Sequence, residues 1–83
     1  MKRSGSVPDA IANLFRSVMR LKHDFVIQEQ MGFEDIPGWD SIGHMNLVAG
    51  IETRFGISLD MEEIVTMDSV KAVEELVARK LHR

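Results

Sequence analysis

Apolar residues in this chain recur at helical intervals, and that spacing limits the fold more than any other feature of the sequence. Near the N-terminus, one such set consists of Ile11, Leu14, Phe15, Val18 and Leu21. These positions follow the i, i+3, i+4, i+7 pattern of a helix that buries one face. The β-branched residues also fall at helical rather than alternating intervals, so nothing predicts a pair of β-strands. The spacing therefore predicts an all-α fold.

The first predicted helix covers about residues 8–22. Pro8 suits its first turn, and Asp9 lies favourably beside the positive end of the helix dipole. Residues 23–39 then show no clean period but are rich in apolar side chains. A connection of this length is uncommon in a compact domain unless it is functional or anchored by its own side chains. We therefore expect a long, ordered loop.

The second predicted helix, over about residues 41–55, has two apolar faces. Asp40 is a suitable N-cap, and Gly56 is a suitable C-terminal stop. At about 100° per residue, the face expected in the core contains Leu47, Val48, Ile51 and Phe55. The opposite face contains Ile42, Met45, Asn46 and Ala49. A second apolar face indicates a docking surface, although single exposed apolar residues are ordinary on proteins.

Two further helices are predicted in the C-terminal third. Asp60 and Glu63 have the spacing of a capping box and begin a short helix that extends through Val65. Asp68 or Ser69 then caps a final helix. The apolar stripe of this final helix consists of Val70, Val73, Leu76, Val77 and Leu81. The pattern predicts a four-helix bundle with three longer helices, one short helix and a long loop between the first and the second.

The size and composition of the chain limit its class. With 83 residues, it is near the smallest size at which one hydrophobic core sustains a fold without staples. We expect a single domain over residues 7–83 after a flexible N-terminal tail, residues 1–6. The absence of cysteine excludes disulfides and favours a cytoplasmic setting. No apolar run approaches the roughly 20 residues that cross a bilayer, and His23, His44 and His82 lack the spacing of metal ligands.

Charge is distributed unevenly along the chain. Residues 24–75 contain twelve Asp/Glu against two Lys/Arg, whereas residues 1–23 carry a net charge of +4 and residues 76–83 one of +3. The acidic middle repels phosphate backbones, so nucleic-acid binding is not expected, and it attracts basic protein surfaces. Acidic residues that only solvate exposed helix faces would give the same excess.

The segment Gly38-Trp39-Asp40-Ser41-Ile42 places one serine hydroxyl at the start of the second helix. It resembles the modification site of acyl carrier proteins, in which Gly, one variable residue, Asp and Ser precede Leu or Ile. A short motif of this kind is weak evidence alone, but the resemblance extends over about residues 8–82. It includes Glu52, Phe55, Gly56 and Ile57, and the Asp68-Ser69-Val70 start of the last helix.

This resemblance implies an acyl-carrier-like bundle that is not itself an enzyme. Ser41 would receive 4′-phosphopantetheine from coenzyme A, and the thiol of this arm would carry acyl groups as thioesters. Asp40 would cap the helix, and its carboxylate would also help to hold magnesium during the transfer. A phosphopantetheinyl transferase and acyl-loading and acyl-processing enzymes would be the partners of a monomeric carrier. Because the apolar stripe begins one residue after Ser41, these enzymes are expected to contact Ile42, Met45, Asn46 and Ala49.

Fatty-acid carriers often have acidic residues where this chain has Gly43, Asn46 and Thr53. Polyketide biosynthesis and other specialised acyl metabolism therefore fit the resemblance at least as well as fatty acid biosynthesis does. A peptidyl or aminoacyl carrier is the alternative within the same class.

Two other classes of protein share parts of the pattern. A hydrolase would use Ser41 and His44 with Asp40 or Asp24 as a triad. A nucleophile and a base three residues apart on one small helix leave no pocket or oxyanion hole, which argues against it. A helical interaction domain without the prosthetic group is the other class. Its DNA-binding form is disfavoured, because the second helix has no Lys or Arg before Arg54.

Overall fold

A computed structural model describes residues 7–82 of the chain and contains four helices. They are α1 (Val7–Met19), α2 (Ser41–Phe55), α3 (Met61–Val65) and α4 (Val70–Leu81). Within the described residues there is no strand, only an isolated bridge between Gly32 and Ser69. The predicted all-α bundle of three longer helices and one short helix is confirmed. The tail predicted for residues 1–6 lies outside the described residues, as does residue 83.

The first helix ends earlier than its apolar pattern predicts. It stops at Met19 rather than near residue 22, because Arg20 takes a left-handed conformation with φ 55°. The N–H of Leu21 then donates to the carbonyl of Arg16 at 3.1 Å. This is the six-to-one bond of a Schellman motif, a helix stop that usually has glycine where this chain has arginine. Leu21 still packs against the core, although it lies outside the helix.

Both ends of α2 agree with the sequence. A carboxylate oxygen of Asp40 accepts from the N–H of Gly43 at 2.8 Å, as an N-cap does. Gly56 has φ 66°, and its N–H donates to the carbonyl of Glu52 at 2.9 Å. A left-handed C-cap of this kind favours glycine, which has no Cβ to clash. The sequence offered Asp68 or Ser69 as the N-cap of α4. The N-cap is Ser69, whose hydroxyl accepts from the N–H of Ala72 at 3.1 Å.

The core lies between α1, α2 and α4. Helix α1 packs against both other helices. The predicted inner face of α2 is confirmed: Leu47, Val48 and Ile51 are buried, and Phe55 packs against them from a partly buried position. The remaining buried side chains of these three helices include Ile11, Phe15, Val70, Val73, Leu76 and Val77. Burial of this apolar surface is the main term that holds the domain together.

The long loop is ordered against the start of α4, as its apolar content predicts. Ile36 and Trp39 are buried in the core. The N–H of Val70 donates to the loop carbonyl of Met31, and the N–H of Lys71 donates to that of Glu29, each at 2.9 Å. The first amides of a helix have no acceptor within the helix. The loop carbonyls are therefore the acceptors for the first two amides of α4.

An acidic contact at this junction makes stability depend on pH. Burial, a hydrogen bond with Glu29 and repulsion from Glu29 and Glu75 raise the pKa of Glu74 from 4.5 to about 7, while Lys71 opposes the shift. A carboxyl whose pKa is raised in the folded state contributes stability that is fully present below pH 4.5. That contribution is lost as the pH rises through about 7.

Glu74→Gln should therefore stabilise the domain at pH 8 and have little effect at pH 5. Glutamine cannot ionise, so the variant keeps an uncharged side chain at position 74, which the protein itself loses above about pH 7. We expect a gain of about 1 kcal/mol at pH 8, a figure reduced for solvent screening of a partly exposed group. Urea unfolding at both pH values measures it. Glu62→Gln on α3 is the matched control, and an equal effect of Glu74→Gln at pH 5 and pH 8 would contradict the prediction.

Candidate functional site

Ser41 is the first residue of α2 and is exposed to solvent. Within residues 7–82 its hydroxyl makes no hydrogen bond, so it is open to reagents from outside. Asp40 uses one carboxylate oxygen to cap the helix. The free amides and the positive dipole at the start of a fifteen-residue helix favour a negatively charged group there. A phosphodiester on this hydroxyl is therefore compatible with the site.

The loop before Ser41 lies directly against the first turn of α2. Gly38 has φ 87°, and its carbonyl accepts from the N–H of Asp40 at 3.0 Å. The same carbonyl faces Gly43, where an added Cβ would lie only 2.0 Å from the Gly38 oxygen. Any other residue at position 43 would force the loop to move, because a Cβ cannot approach backbone that closely. From the sequence, Gly43 was noted only because fatty-acid carriers often have an acidic residue there. A glycine inside a helix is itself a signal of close packing, and that signal was missed.

The outer face of α2 is exposed where the sequence predicts it. Ile42 is 75% exposed and Met45 is 50% exposed, and Asn46 and Ala49 are exposed beside them. Gly43, in contrast, is buried. The structure thus brings the four predicted contact residues to one surface next to Ser41.

Helix α3 contributes a second apolar surface that the sequence did not predict. Met61 and Val65 are 70% and 71% exposed. They line a groove of about 630 Å³ together with residues of the loop and of α2. Its other lining residues are Phe33, Trp39, Asp40, Ser41, His44, Met45 and Ile64. The i, i+4 spacing of Met61 and Val65 was the available signal, but a five-residue helix is too short for a periodicity to stand out.

An aromatic cluster lies beneath the start of α2. The ring of Trp39 contacts Phe15 edge-on, with centroids 4.8 Å apart, and Phe33 at 4.6 Å. His44 stacks near Trp39 and accepts from its indole N–H at 2.9 Å, through Nδ1. The other ring nitrogen, Nε2, lies 3.0 Å from the carbonyl oxygen of Ile64. Both nitrogens of His44 are therefore engaged.

These contacts are incompatible with a catalytic triad at Ser41. The ring of His44 points toward Trp39 and Ile64 rather than offering a nitrogen to the serine hydroxyl. Asp24 lines a different groove, beside the end of α1. Across residues 7–82 no group of three or more His, Cys, Asp or Glu is arranged to hold a metal ion. No helix of the described chain is long and apolar enough to span a membrane.

Comparisons with known proteins identify the family of the chain. Residues 9–77 match the family model described as phosphopantetheine attachment site. The solution structure of the holo acyl carrier protein from Geobacter metallireducens is 31% identical over 93% of this chain and 87% of its own, with a TM-score of 0.83. A candidate acyl carrier protein from Mycobacterium tuberculosis shares the fold at 23% identity, covering 88% of this chain and 96% of its own, with a TM-score of 0.79. No curated protein sequence matches significantly.

The fold, the exposed serine and the family match together define a carrier domain rather than a catalyst. The chain belongs to the acyl carrier protein family, whose prosthetic group is phosphopantetheine. Members of this family interact with a phosphopantetheinyl transferase and with acyl-processing enzymes.

Proposed function

We propose that Ser41 carries 4′-phosphopantetheine and that residues 7–83 act as one carrier domain for acyl thioesters. The observation that carries the proposal is the exposed hydroxyl of Ser41 at the start of α2, which makes no hydrogen bond to residues 7–82 and directly follows the Asp40 cap. The chain has no cysteine, so any thiol that binds acyl groups must belong to an attached group. When bound, the arm supplies that thiol.

The chain's own residues present the hydroxyl but do not activate it. A serine hydroxyl is a weak nucleophile and needs a base and an electrophile, which a separate transferase can supply. Asp40 holds the first turn in place through the N–H of Gly43, so Ser41 is displayed on a fixed backbone. The second carboxylate oxygen of Asp40 is available to magnesium brought with coenzyme A. A tethered cargo then meets each enzyme at a high effective concentration.

Partner enzymes are proposed to dock on the outer face of α2. The exposed stripe next to Ser41 consists of Ile42, Met45, Asn46 and Ala49. Any enzyme that reaches the Ser41 hydroxyl must contact this stripe. Methionine suits a surface that several enzymes share, because its flexible thioether adapts to different pockets. The carrier is proposed to act as a cytoplasmic monomer, a setting that the cysteine-free composition supports.

The charge of the docking face bears on which classes of partner enzyme and acyl cargo fit the carrier. Asn46 and Thr53 are neutral and exposed, at positions where fatty-acid carriers often have acidic residues. Enzymes that dock through basic patches would find few partners on α2 itself. We therefore propose polyketide or other specialised acyl biosynthesis alongside fatty acid biosynthesis. A peptidyl or aminoacyl carrier is the alternative that the same neutral face supports.

Intact-mass measurement tests the attachment. The protein is incubated with coenzyme A, magnesium and a broad-specificity phosphopantetheinyl transferase, then weighed whole and after proteolysis. The proposal expects a gain of one phosphopantetheinyl group, located on the peptide that contains Ser41. A gain on another serine, or no gain with several transferases, would refute it.

Met45→Glu should slow loading much more than it changes stability. Met45 is half exposed, so a carboxylate there remains solvated in the free carrier but is buried without a partner in the complex. We expect about a tenfold loss in kcat/KM for the transferase and a stability change within about 0.5 kcal/mol. Val26→Glu is the matched control, because Val26 is 63% exposed but lines the other groove. Equal losses in the two variants would contradict the docking surface.

A further inference from the structure

His44 connects three parts of the site through one ring. It lies one turn after Ser41 on α2, accepts from the indole N–H of Trp39 at 2.9 Å, and reaches the carbonyl of Ile64 on α3 at 3.0 Å. An indole N–H can only donate, so Nδ1 must be the acceptor. A carbonyl oxygen can only accept, so Nε2 must carry the proton. The partners thus define a neutral ring with one tautomer.

Helix α3 needs contacts with the rest of the domain to remain folded. Five residues are far too few for a helix to be stable alone. Toward α4 it is held by the ion pair between Lys80 and Glu63, at 2.9 Å. The loop that leads into it is held by a hydrogen bond from the Leu59 N–H to Glu52, also at 2.9 Å. The bond from His44 is a polar contact that ties α3 to the start of α2.

The groove beside Ser41 has one wall from each of these helices. Met45 belongs to the α2 wall, and Met61 and Val65 belong to the α3 wall. The width of the groove is therefore the separation of α2 and α3 at this end. The ring of His44 bridges that separation, because it contacts both Trp39 and the backbone of Ile64.

We propose that His44 is a positioning residue that holds α3 in place and keeps this groove open for the pantoyl part of the prosthetic arm. The inference rests on the proposed attachment at Ser41. In phosphopantetheine, a carbon with two methyl groups follows closely after the phosphate, before the first amide. That apolar branch is the part of the arm nearest to Ser41. Exposed Met45, Met61 and Val65 offer it an apolar surface in the groove that Ser41 also lines.

Two substitutions each remove one of the two hydrogen bonds of His44 and keep the other. In His44→Asn, the amide oxygen can still accept from Trp39, but the side chain is too short to reach Ile64. In His44→Gln, the amide nitrogen can still donate to Ile64, as Nε2 does, but no acceptor remains at the Nδ1 position. Amide hydrogen exchange of the unmodified protein then reports α3 directly. We expect exchange at residues 64–67, relative to α1, to quicken about tenfold in His44→Asn and less than about threefold in His44→Gln.

A second readout uses the loaded carrier. NMR contacts between the two methyl groups of the arm and the methyls of Met45 and Met61 are expected in the unsubstituted protein and in His44→Gln. They should be lost in His44→Asn, although both variants gain the mass of the arm. Contacts that persist in His44→Asn, or equal exchange in the two variants, would overturn the role of His44.

The tautomer can be tested without any substitution. Nitrogen-15 NMR of the imidazole is expected to show the proton on Nε2, and a proton on Nδ1 would overturn the proposal even if His44→Asn does not fold. Hydrogen exchange and the tautomer are measured on the unmodified chain, so they are independent of Ser41. A failed mass gain would instead count against the attachment itself.

Discussion

Replacing Ser41 by alanine is expected to abolish loading completely while the fold remains intact. The Ser41 side chain is exposed and forms no hydrogen bond within residues 7–82, so its removal leaves no buried group unsatisfied. It also occupies the first helical position, where alanine is well tolerated, because the Asp40 carboxylate provides the cap. We expect a stability change within about 0.5 kcal/mol. Mass spectrometry measures loading, and urea unfolding measures stability.

Ser69→Ala is the matched control, and it should behave in the opposite way. The hydroxyl of Ser69 accepts from the N–H of Ala72 at 3.1 Å and caps α4. Its loss should cost about 1 kcal/mol of stability, a typical effect for an N-cap. Ser69 is not proposed to bear the arm, so loading should stay normal. A loaded Ser41→Ala protein, or an unfolded one, would refute the assignment of Ser41 as an exposed attachment residue.

The contrast between these two serines reflects what the sequence can predict. Helix boundaries such as Asp40 and Gly56, and the start of α4 to within one residue, depend on a few neighbouring residues, so the motifs that mark them are local. The burial of Ile51 on one face of α2 and the exposure of Ile42 on the other follow from periodicity alone. These features were predictable because each depends on residues that are close together in the sequence.

The end of α1 was not predictable in the same way. The apolar spacing continues through Leu21, and Leu21 does pack against the core. The chain reaches that position by a left-handed turn at Arg20 rather than by continued helix. No glycine marks this turn, so the usual local signal for a Schellman stop is missing. Periodicity correctly predicted that Leu21 packs against the core, but it did not predict the left-handed backbone conformation of Arg20.

The inner side of the site depends on contacts between distant segments. His44 meets the carbonyl of Ile64, twenty residues later in the chain. Met61 and Val65 line the same groove as Ser41, which requires α3 to lie beside the start of α2. A helical wheel gives the direction of His44 but not the identity of its partner. The sequence therefore predicted the position of Ser41 at the start of α2 and the outer face of that helix, and it missed the groove between α2 and α3.

Gly43→Ala should cause the largest loss of stability among the substitutions considered near Ser41. The new Cβ would lie 2.0 Å from the carbonyl oxygen of Gly38 and 3.1 Å from the sulfur of Met19. The first clash is with backbone, so the loop before Ser41 must move as a unit. We expect a cost of about 3 kcal/mol, a large share of a typical total stability of roughly 5–15 kcal/mol. Because the loop also carries Asp40, loading should slow as well.

Gly50→Ala on the same helix separates this clash from the effect of helix propensity. Both substitutions remove a glycine from α2, which alone should stabilise a helix by about 1 kcal/mol. At position 50 the nearest atom to a new Cβ is the end of the Leu14 side chain at 3.2 Å, which can move aside. Gly50→Ala should therefore lie within about 1 kcal/mol of the unsubstituted protein. If urea unfolding gave the two variants equal stability, the loop would not press on α2, and the fixed presentation of Ser41 would need another cause.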